Sequence, residues 1–285
     1  GVVVADDQKV DEDDLAYKKG KPGRTVFRIS AQRVNIRAET VDMADAFEID
    51  LSTLATAPSI RHDIIDMNGL RSVIYAIREM CDYRVPVFVR MDPKSVSKDI
   101  YYAVRAGADA VVIDEGLGAR IHSHSPLHRM FLPASMAAAE ARKAMRETGA
   151  WDKGISLLLG ASPMNGMETM KYLAMGARAI YTTVPPMVGL GCNLCGKCHA
   201  NLCEAGIATE NAELRDRVDL DDAVVKISNL IIAYNQELRN LMAMAGVGSL
   251  EGLNDDLLFT DDYSTASVTG LALGGYGSKL PFWEI

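Results

Sequence analysis

The stretches RAGADAVVID (105–114) and LAMGARAIYTT (173–183) share one pattern. Each is the end of an amphipathic helix, then a Gly-Ala pair, then a short apolar run. Glycine suits the left-handed backbone conformation that ends many helices, so Gly107 and Gly176 mark helix C-termini. The runs that follow resemble buried strands of a parallel sheet. Two copies of this unit predict an α/β fold.

The same alternation of apolar runs and amphipathic stretches extends over most of the chain. Besides AVVID (110–114) and AIYTTV (179–184), the predicted strands are AFEIDL (46–51), VPVFVRM (85–91), ISLLLGA (155–161) and, more weakly, TVFRI (25–29). The predicted helices cover residues 68–82, 97–106, 134–147, 167–175 and, as one long amphipathic helix, 218–245. The apolar stripe of that last helix comprises Val224, Ile227, Leu230, Ile231, Tyr234, Leu238 and Leu241.

Strands that alternate with helices predict a parallel sheet, and the repeated unit is typical of a TIM-type (β/α)8 barrel. In such barrels the active site lies at the C-terminal ends of the strands. The sequence supplies six predicted strands where a closed barrel has eight. We therefore expect either an incomplete barrel or one whose other strands lie on another polypeptide, and in both cases a partner would cover the open sheet edge.

Four of the five cysteines lie within GCNLCGKCHANLC (191–203), as Cys192, Cys195, Cys198 and Cys203. Thiolates so close in sequence can converge on one metal centre, and this C-x2-C-x2-C spacing resembles that of bacterial ferredoxins. We predict an iron–sulfur site. A structural zinc site, with His199 as a weaker ligand, would usually show two pairs separated by a longer loop, and redox-switch or inert thiols are the other alternative.

Composition narrows the classes of partner. The 285 residues carry a formal charge of −8, which argues against nucleic acid. No apolar run reaches the roughly 18 residues of a membrane span, and clustered thiols without a signal peptide indicate a cytoplasmic protein. We divide the chain into an irregular N-terminal segment (1–24), a barrel part (25–190), an iron–sulfur segment (191–210) and a C-terminal helix and tail (211–285).

The remaining cysteine and the histidines give weaker signals. Cys81 ends a helical pattern and is predicted to be a small buried residue. Three histidines in GARIHSHSPLHRM could bind a metal, but we interpret them as loop residues: His122, His124 and His128. His62 and Asp63 follow a strand and could face the barrel mouth. The catalytic residues stay unknown.

Residues 20 to 260 resemble the central, FMN-binding domain of glutamate synthase and its shorter relatives. The segment that carries the resemblance best is GLGCNLCGKCHANLCEAGIAT (189–209), supported by KPG (21–23), SIRHDI (59–64), DEGLGA (114–119) and SLEGLNDDLL (249–258). The resemblance implies that the barrel lacks strands at its N-terminal end. It also implies that Cys192, Cys198 and Cys203 hold a [3Fe-4S] cluster. The additional Cys195 could complete a [4Fe-4S] cluster instead.

The resemblance implies an FMN site as well. Arg90 stands at the position of a family lysine at a strand end, where it would hold the flavin or an acidic substrate; the alternative is an ion pair with a nearby acid. Gly116 and Gly118 lie in the loop beside the flavin, and Ser162 and Thr183 would offer hydroxyls to its phosphate.

The family's reaction joins ammonia to the small molecule 2-oxoglutarate and reduces the imine on FMN, with electrons from the cluster. It implies partner subunits as the electron donor, the ammonia source or the barrel-completing chain. The chain departs from the family at the phosphate glycines, since Gly160-Ala161-Ser162 and Tyr181-Thr182-Thr183 replace glycine-rich motifs, and Glu115 and Glu204 replace a Gly and a Pro. Two alternatives therefore stay open: an electron-transfer or scaffold subunit that has lost its flavin site, and a subunit of N-methylglutamate synthase.

Overall fold

The computed structural model describes residues 2–6, 24–30, 36, 38–51, 66–114 and 132–281. Seven strands form one sheet in which their order follows the chain. They are β1 (Val2–Asp6), β2 (Arg24–Ser30), β3 (Ala46–Asp50), β4 (Val87–Met91), β5 (Ala110–Asp114), β6 (Ser156–Gly160) and β7 (Ala179–Tyr181). The pairs from β1 to β5 are all parallel.

The helices alternate with these strands as a (β/α) fold requires. They are α1 (Ala38–Val41), α2 (Met67–Met80), α3 (Val96–Ala106), α4 (Ala134–Glu147), α5 (Gly166–Ala174), α6 (Val184–Gly189), α7 (Ala212–Arg215), α8 (Leu220–Met244) and α9 (Tyr263–Thr269). A small parallel sheet joins β8 (Phe259–Thr260) and β9 (Ala272–Leu273). The six predicted strands and five predicted helices are confirmed, and the fold is an incomplete (β/α)8 barrel.

The strand over Val2–Asp6 is a correction, because it lies in the segment 1–24 that was predicted to be irregular. Its apolar run is short and is followed by acidic residues, so periodicity gave it no support. Pairing supplies what the local pattern lacks: residues 2–6 run parallel to β2, in a register that sets Val2 beside Arg24 and Asp6 beside Arg28.

The chain divides into two compact units. Unit 1 comprises residues 1–113 and 143–158, and unit 2 comprises residues 114–142 and 159–285. In unit 1, α2 and α3 pack against one another and against β4. Phe27, Phe47 and Ile49 are almost fully buried, and the rings of the two phenylalanines lie 6.3 Å apart. Burial of these side chains is the main stabilising contribution of this core.

The capping predicted for the repeated unit is present. Gly107 follows α3 with a φ of 97°, and Gly176 follows α5 with a φ of 102°. An L side chain is strained at such angles, so glycine permits each tight return from helix to strand.

In unit 2, α8 packs on α5. Their core contains Met170, Ala174, Met242 and Leu253, with Leu238 and Leu241 beside it. Two members of the predicted stripe, Val224 and Ile231, are more than half exposed. Among the described residues, no helix has the length and apolar character needed to cross a bilayer.

Candidate functional site

The cysteine segment is a loop in unit 2 that begins where α6 ends. Gly191 adopts a φ of 98°, and the N–H of Cys192 donates to the carbonyl of Met187 at 2.9 Å. The far end of the loop is closed by Asn201. Its Oδ1 accepts hydrogen bonds from the Thr209 hydroxyl at 2.7 Å and from the Glu210 N–H at 2.6 Å.

Glu204 adds a second closure. Its Oε1 lies 2.6 Å from Lys197 Nζ, and its carbonyl accepts from Arg217 Nη1 at 3.2 Å. The hydrogen bond from Lys197 lowers the pKa of the Glu204 carboxyl. Glu204 therefore helps to hold the loop.

The four sulfurs have distinct surroundings. Cys192 and Cys203 are buried, Cys198 is half-buried and Cys195 is exposed. Burial alone would raise the pKa of the Cys203 thiol, but the backbone N–H groups of residues 205–208 outweigh it, so the pKa is lowered. Hydrogen bonds of this kind stabilise the thiolate, which is the form that binds metals.

The sulfurs also influence one another. Burial raises the pKa of Cys198, and the charges of Cys203, Cys192 and Cys195 raise it further. Negative charge on those three sulfurs therefore repels, and disfavours, a thiolate at Cys198. A bound cation would compensate that repulsion.

Proximity does not by itself amount to a ligand set. Over the described ranges, no three His, Cys, Asp or Glu side chains form a group that could hold a metal ion. The donor chemistry of the loop fits an iron–sulfur cluster, whereas its side-chain arrangement does not display the ligation. The assignment of Cys192, Cys195, Cys198 and Cys203 therefore stays a prediction.

A second candidate region is the layer of charged side chains on β2, β3 and β4 in unit 1. Arg90 Nη1 lies 2.8 Å from both Oδ1 and Oδ2 of Asp50, and the two side chains are at least nine-tenths buried. The ion-pair interpretation of Arg90 is thus what the structure displays. A contact of Arg90 with a flavin or a substrate stays a prediction.

Beside this pair lies a second one that the sequence analysis missed. Arg28 Nε lies 2.5 Å from Oε1 of Glu48, whose side chain is fully buried. Burial raises the pKa of Glu48, although the charges of Arg28 and Arg90 oppose the shift. Part of the signal was available, because AFEIDL places Glu48 and Asp50 at alternate positions, and alternate residues of a strand share a face.

The predicted phosphate loops lie at strand ends of unit 2, where this chain differs from the family's glycine-rich motifs. A Cβ atom on Gly160 would lie 2.3 Å from Cγ of Asp114, so this glycine makes room for a carboxylate. Ser162 is half-buried in the following loop. Thr183 is exposed before α6, and its side chain makes no capping hydrogen bond there.

Two of the N–H groups that begin α5 are already bonded to the protein. Glu237 Oε2, from α8, accepts from the Gly166 N–H at 2.7 Å, and Asn165 Oδ1 accepts from the Glu168 N–H at 2.8 Å. A helix N-terminus is a common place for a phosphate. The N–H groups of Gly166 and Glu168 do not fit that role while they donate to Glu237 and Asn165. The hydroxyls of Ser162 and Thr183 stay the predicted phosphate donors in this region.

Several predicted positions lie outside the described residues, and they stay predictions. They are the segments 21–23 and 59–64 with His62 and Asp63, and the segment 115–131 with Glu115, Gly116, Gly118, His122, His124 and His128. The burial predicted for Cys81 is confirmed, since none of its surface is exposed.

Comparison with known proteins assigns the chain to a family. A family model described as a conserved region in glutamate synthase matches residues 39–248. The archaeal-type glutamate synthase (NADPH) of Dehalococcoides mccartyi is 31% identical over 212 residues, which are 74% of this chain and 42% of that protein. The chain thus spans less than half the length of this relative.

Solved structures support the fold. A lactate oxidase of Pediococcus acidilactici aligns with a TM-score of 0.57 and 15% identity, over 90% of this chain and 66% of its own. A mandelate oxidase variant that carries an FMN adduct aligns with a TM-score of 0.51 and 17% identity, over 88% and 67%. At such low identity these likenesses show the barrel architecture alone. The family model and the archaeal-type relative carry the assignment further, and the chain belongs to the glutamate synthase family.

Proposed function

We propose that this chain is a component of a glutamate-synthase-like oxidoreductase that reductively aminates 2-oxoglutarate. Family membership supports the reaction class. The observation that carries the proposal is the cysteine loop, which holds four thiols within twelve residues and is closed by Asn201 and by the Lys197–Glu204 ion pair. A barrel with such a loop is suited to receiving electrons one at a time.

Cys192, Cys195, Cys198 and Cys203 would hold the iron–sulfur cluster, which passes single electrons when bound. The chain's own residues prepare this site. The N–H groups of residues 205–208 stabilise the sulfur of Cys203 as an anion. Asn201 and the Lys197–Glu204 ion pair close the loop that carries the four sulfurs.

FMN would complete the centre, because a flavin collects single electrons and releases a hydride. Support for it comes from the family and from the FMN adduct of the mandelate oxidase variant with the same architecture. The hydroxyls of Ser162 and Thr183 would bind its phosphate. The N–H groups at the start of α5 contribute nothing while they are bonded to Glu237 and Asn165.

Anaerobic purification followed by absorbance, iron, sulfide and zinc analysis tests this proposal. We expect iron and sulfide without zinc, together with released FMN. Iron and sulfide without flavin would favour an electron-transfer or scaffold subunit, and zinc alone would contradict both. The matched control is Cys81→Ala, which removes a thiol outside the loop and should leave the iron content unchanged.

Electron paramagnetic resonance before and after reduction separates the two cluster types. A [3Fe-4S] centre is magnetic when oxidised, whereas a [4Fe-4S] centre usually becomes so on reduction. If Cys195 is the fourth ligand, Cys195→Ser should convert a signal seen after reduction into one seen before it. An unchanged spectrum would remove Cys195 from the ligand set.

The substrate is tested by supplying a chemical reductant and ammonia with 2-oxoglutarate, and separately methylamine with glutamate, the pair that N-methylglutamate formation would use. Glutamate formed in the first mixture supports the proposal. N-methylglutamate formed in the second mixture alone would assign the chain to N-methylglutamate synthase instead.

A further inference from the structure

The charged layer of unit 1 is built from two neighbouring ion pairs that differ in one respect. In the strand register, Arg28 of β2 stands beside Glu48 of β3, and Asp50 of β3 stands beside Arg90 of β4. Glu48 and Asp50 are two residues apart on one strand, so their side chains leave the same face of the sheet. The layer therefore carries one guanidinium group on each of the two strands that flank β3.

The Asp50–Arg90 ion pair is buried. Both carboxylate oxygens of Asp50 contact Arg90, and the side chains are 10% and 7% exposed. The unit charges of a buried pair in such contact neutralise one another. This pair is therefore poorly suited to attract a further anion.

The Arg28 side chain is arranged differently. Within the described part of the chain, its one hydrogen-bond partner is Glu48 Oε1, which is reached through Nε. The side chain is 28% exposed. The Nη1 and Nη2 edge of the guanidinium, which matches a carboxylate or phosphate with two parallel N–H bonds, is thus left for a ligand.

Glu48 holds the Arg28 side chain in position. Its side chain is fully buried, and Oε2 has no hydrogen-bond partner among the described residues. Because burial raises the pKa of Glu48, the charge of this carboxyl is disfavoured and compensates Arg28 less than an exposed carboxylate would. A buried polar atom without a partner is costly, which is typical of a site whose arrangement serves binding more than stability.

We infer that the Nη edge of Arg28, positioned by the buried Glu48, is an oxyanion-binding site at the C-terminal end of β2 that takes a carboxylate or a phosphate group of a small molecule. The location fits, because barrel enzymes bind substrates at the C-terminal ends of their strands. That the carboxylate belongs to 2-oxoglutarate rests on the proposed function. The binding of an oxyanion at Arg28 does not.

Isothermal titration of the full chain with 2-oxoglutarate and, separately, with inorganic phosphate tests the inference. Arg28→Gln should raise the Kd of the probe that binds by about tenfold or more, because one bidentate charge-assisted contact is lost. Arg28→Lys should lie between Arg28→Gln and the parent, because lysine keeps the charge without the fork. The matched control is Arg239→Gln, which removes one positive charge from an exposed position on α8.

Circular dichroism tests whether each variant is folded. If Arg28→Gln does not fold, Arg28→Lys is compared with the parent instead. The probe that binds the parent identifies the anion as a carboxylate or a phosphate. The inference is overturned if the parent binds neither probe, if Arg28→Gln binds like the parent, or if Arg239→Gln weakens binding equally. The titration needs no cluster, flavin or turnover, so the failure of the proposed function and the failure of this site give different results.

Discussion

Glu48 is the residue at which burial and charge compete most directly. Its carboxyl is fully buried on β3, and burial raises its pKa against the opposing charges of Arg28 and Arg90. In the unfolded chain the carboxyl returns to its ordinary pKa of 4.5. The folded state therefore binds this proton more tightly than the unfolded state does.

This difference predicts how stability depends on pH. The contribution of Glu48 is fully present below pH 4.5 and is lost as the pH rises through the raised folded-state pKa. The glutamine of Glu48→Gln cannot ionise. The variant's free energy of unfolding should therefore increase relative to that of the parent as the pH rises from 4 to 8. Urea unfolding across that range measures the gap, with the exposed Glu147→Gln as the control. A gap that widens toward acid would contradict the expected sign.

Asp255 joins two cations in unit 2. Its Oδ2 lies 2.7 Å from Arg142 Nη1 and 2.7 Å from Lys279 Nζ, and the side chains of Asp255 and Arg142 are 8% and 7% exposed. Asp255→Ala would leave a buried guanidinium without its carboxylate. We expect the free energy of unfolding to fall by about 3–5 kcal/mol.

The control for that experiment is the exposed pair of Lys143 and Glu147, whose charged atoms lie 3.9 Å apart. Lys143→Ala should cost less than about 1 kcal/mol, as exposed pairs do. Chemical denaturation of the two variants decides the matter, and equal losses would mean that the Asp255 cluster behaves like a surface pair.

Gly160 illustrates how a sequence comparison and a structure assign different reasons to one residue. The family resemblance predicts that it belongs to a phosphate loop, whereas the structure sets the Asp114 carboxyl where its side chain would stand. Gly160→Ala should lower the free energy of unfolding by about 1–3 kcal/mol, because the added methyl group forces a shift in a packed region. A variant as stable as the parent would show that Asp114 moves freely.

At the scale of elements, periodicity predicted most of the fold. The strand over 110–114 and the helix over 134–147 are found with the predicted bounds, because strong alternation and clear end signals determine them. β1 escaped prediction, since its pairing with β2 is not visible in its own five residues. Periodicity also marks which residues of a helix share a face, but not which of them a neighbour covers.

The long helix α8 tests that distinction. Met242 is 8% exposed and packs with Met170 of α5, whereas Ile231 is 51% exposed despite its place in the apolar stripe. Met242→Ala should cost about 2–5 kcal/mol of unfolding free energy through the cavity that it leaves. Ile231→Ala should change it by less than about 0.5 kcal/mol. Thermal or urea unfolding measures both losses. A larger loss in Ile231→Ala than in Met242→Ala would contradict this packing.

At the scale of the whole molecule, the sequence predicted the candidate site unevenly. The cysteines were found because a spacing in sequence carries ligand chemistry with it. Contacts such as Asp50 with Arg90 and Gly166 with Glu237 join residues 40 and 71 positions apart. No local pattern specifies such pairs, and only the register of the sheet and the packing of α8 determine them.

The five thiols of the chain provide a global check on the burial of these residues. In metal-free protein, the exposed Cys195 should react first with a thiol reagent, ahead of the buried Cys81, Cys192 and Cys203. Kinetics followed by absorbance should lose the fastest phase in Cys195→Ser. If that phase persists, a different cysteine is the accessible one.

The carboxylate of Glu237 at the start of α5 acts as a tethered competitor. Any solute anion that seeks the Gly166 N–H must displace a group that the fold delivers at a high effective concentration. Dilute free phosphate cannot win such an exchange by mass action alone. A cofactor could do so only through the additional contacts made by the rest of its structure, which would make this helix end selective for large ligands over inorganic ions.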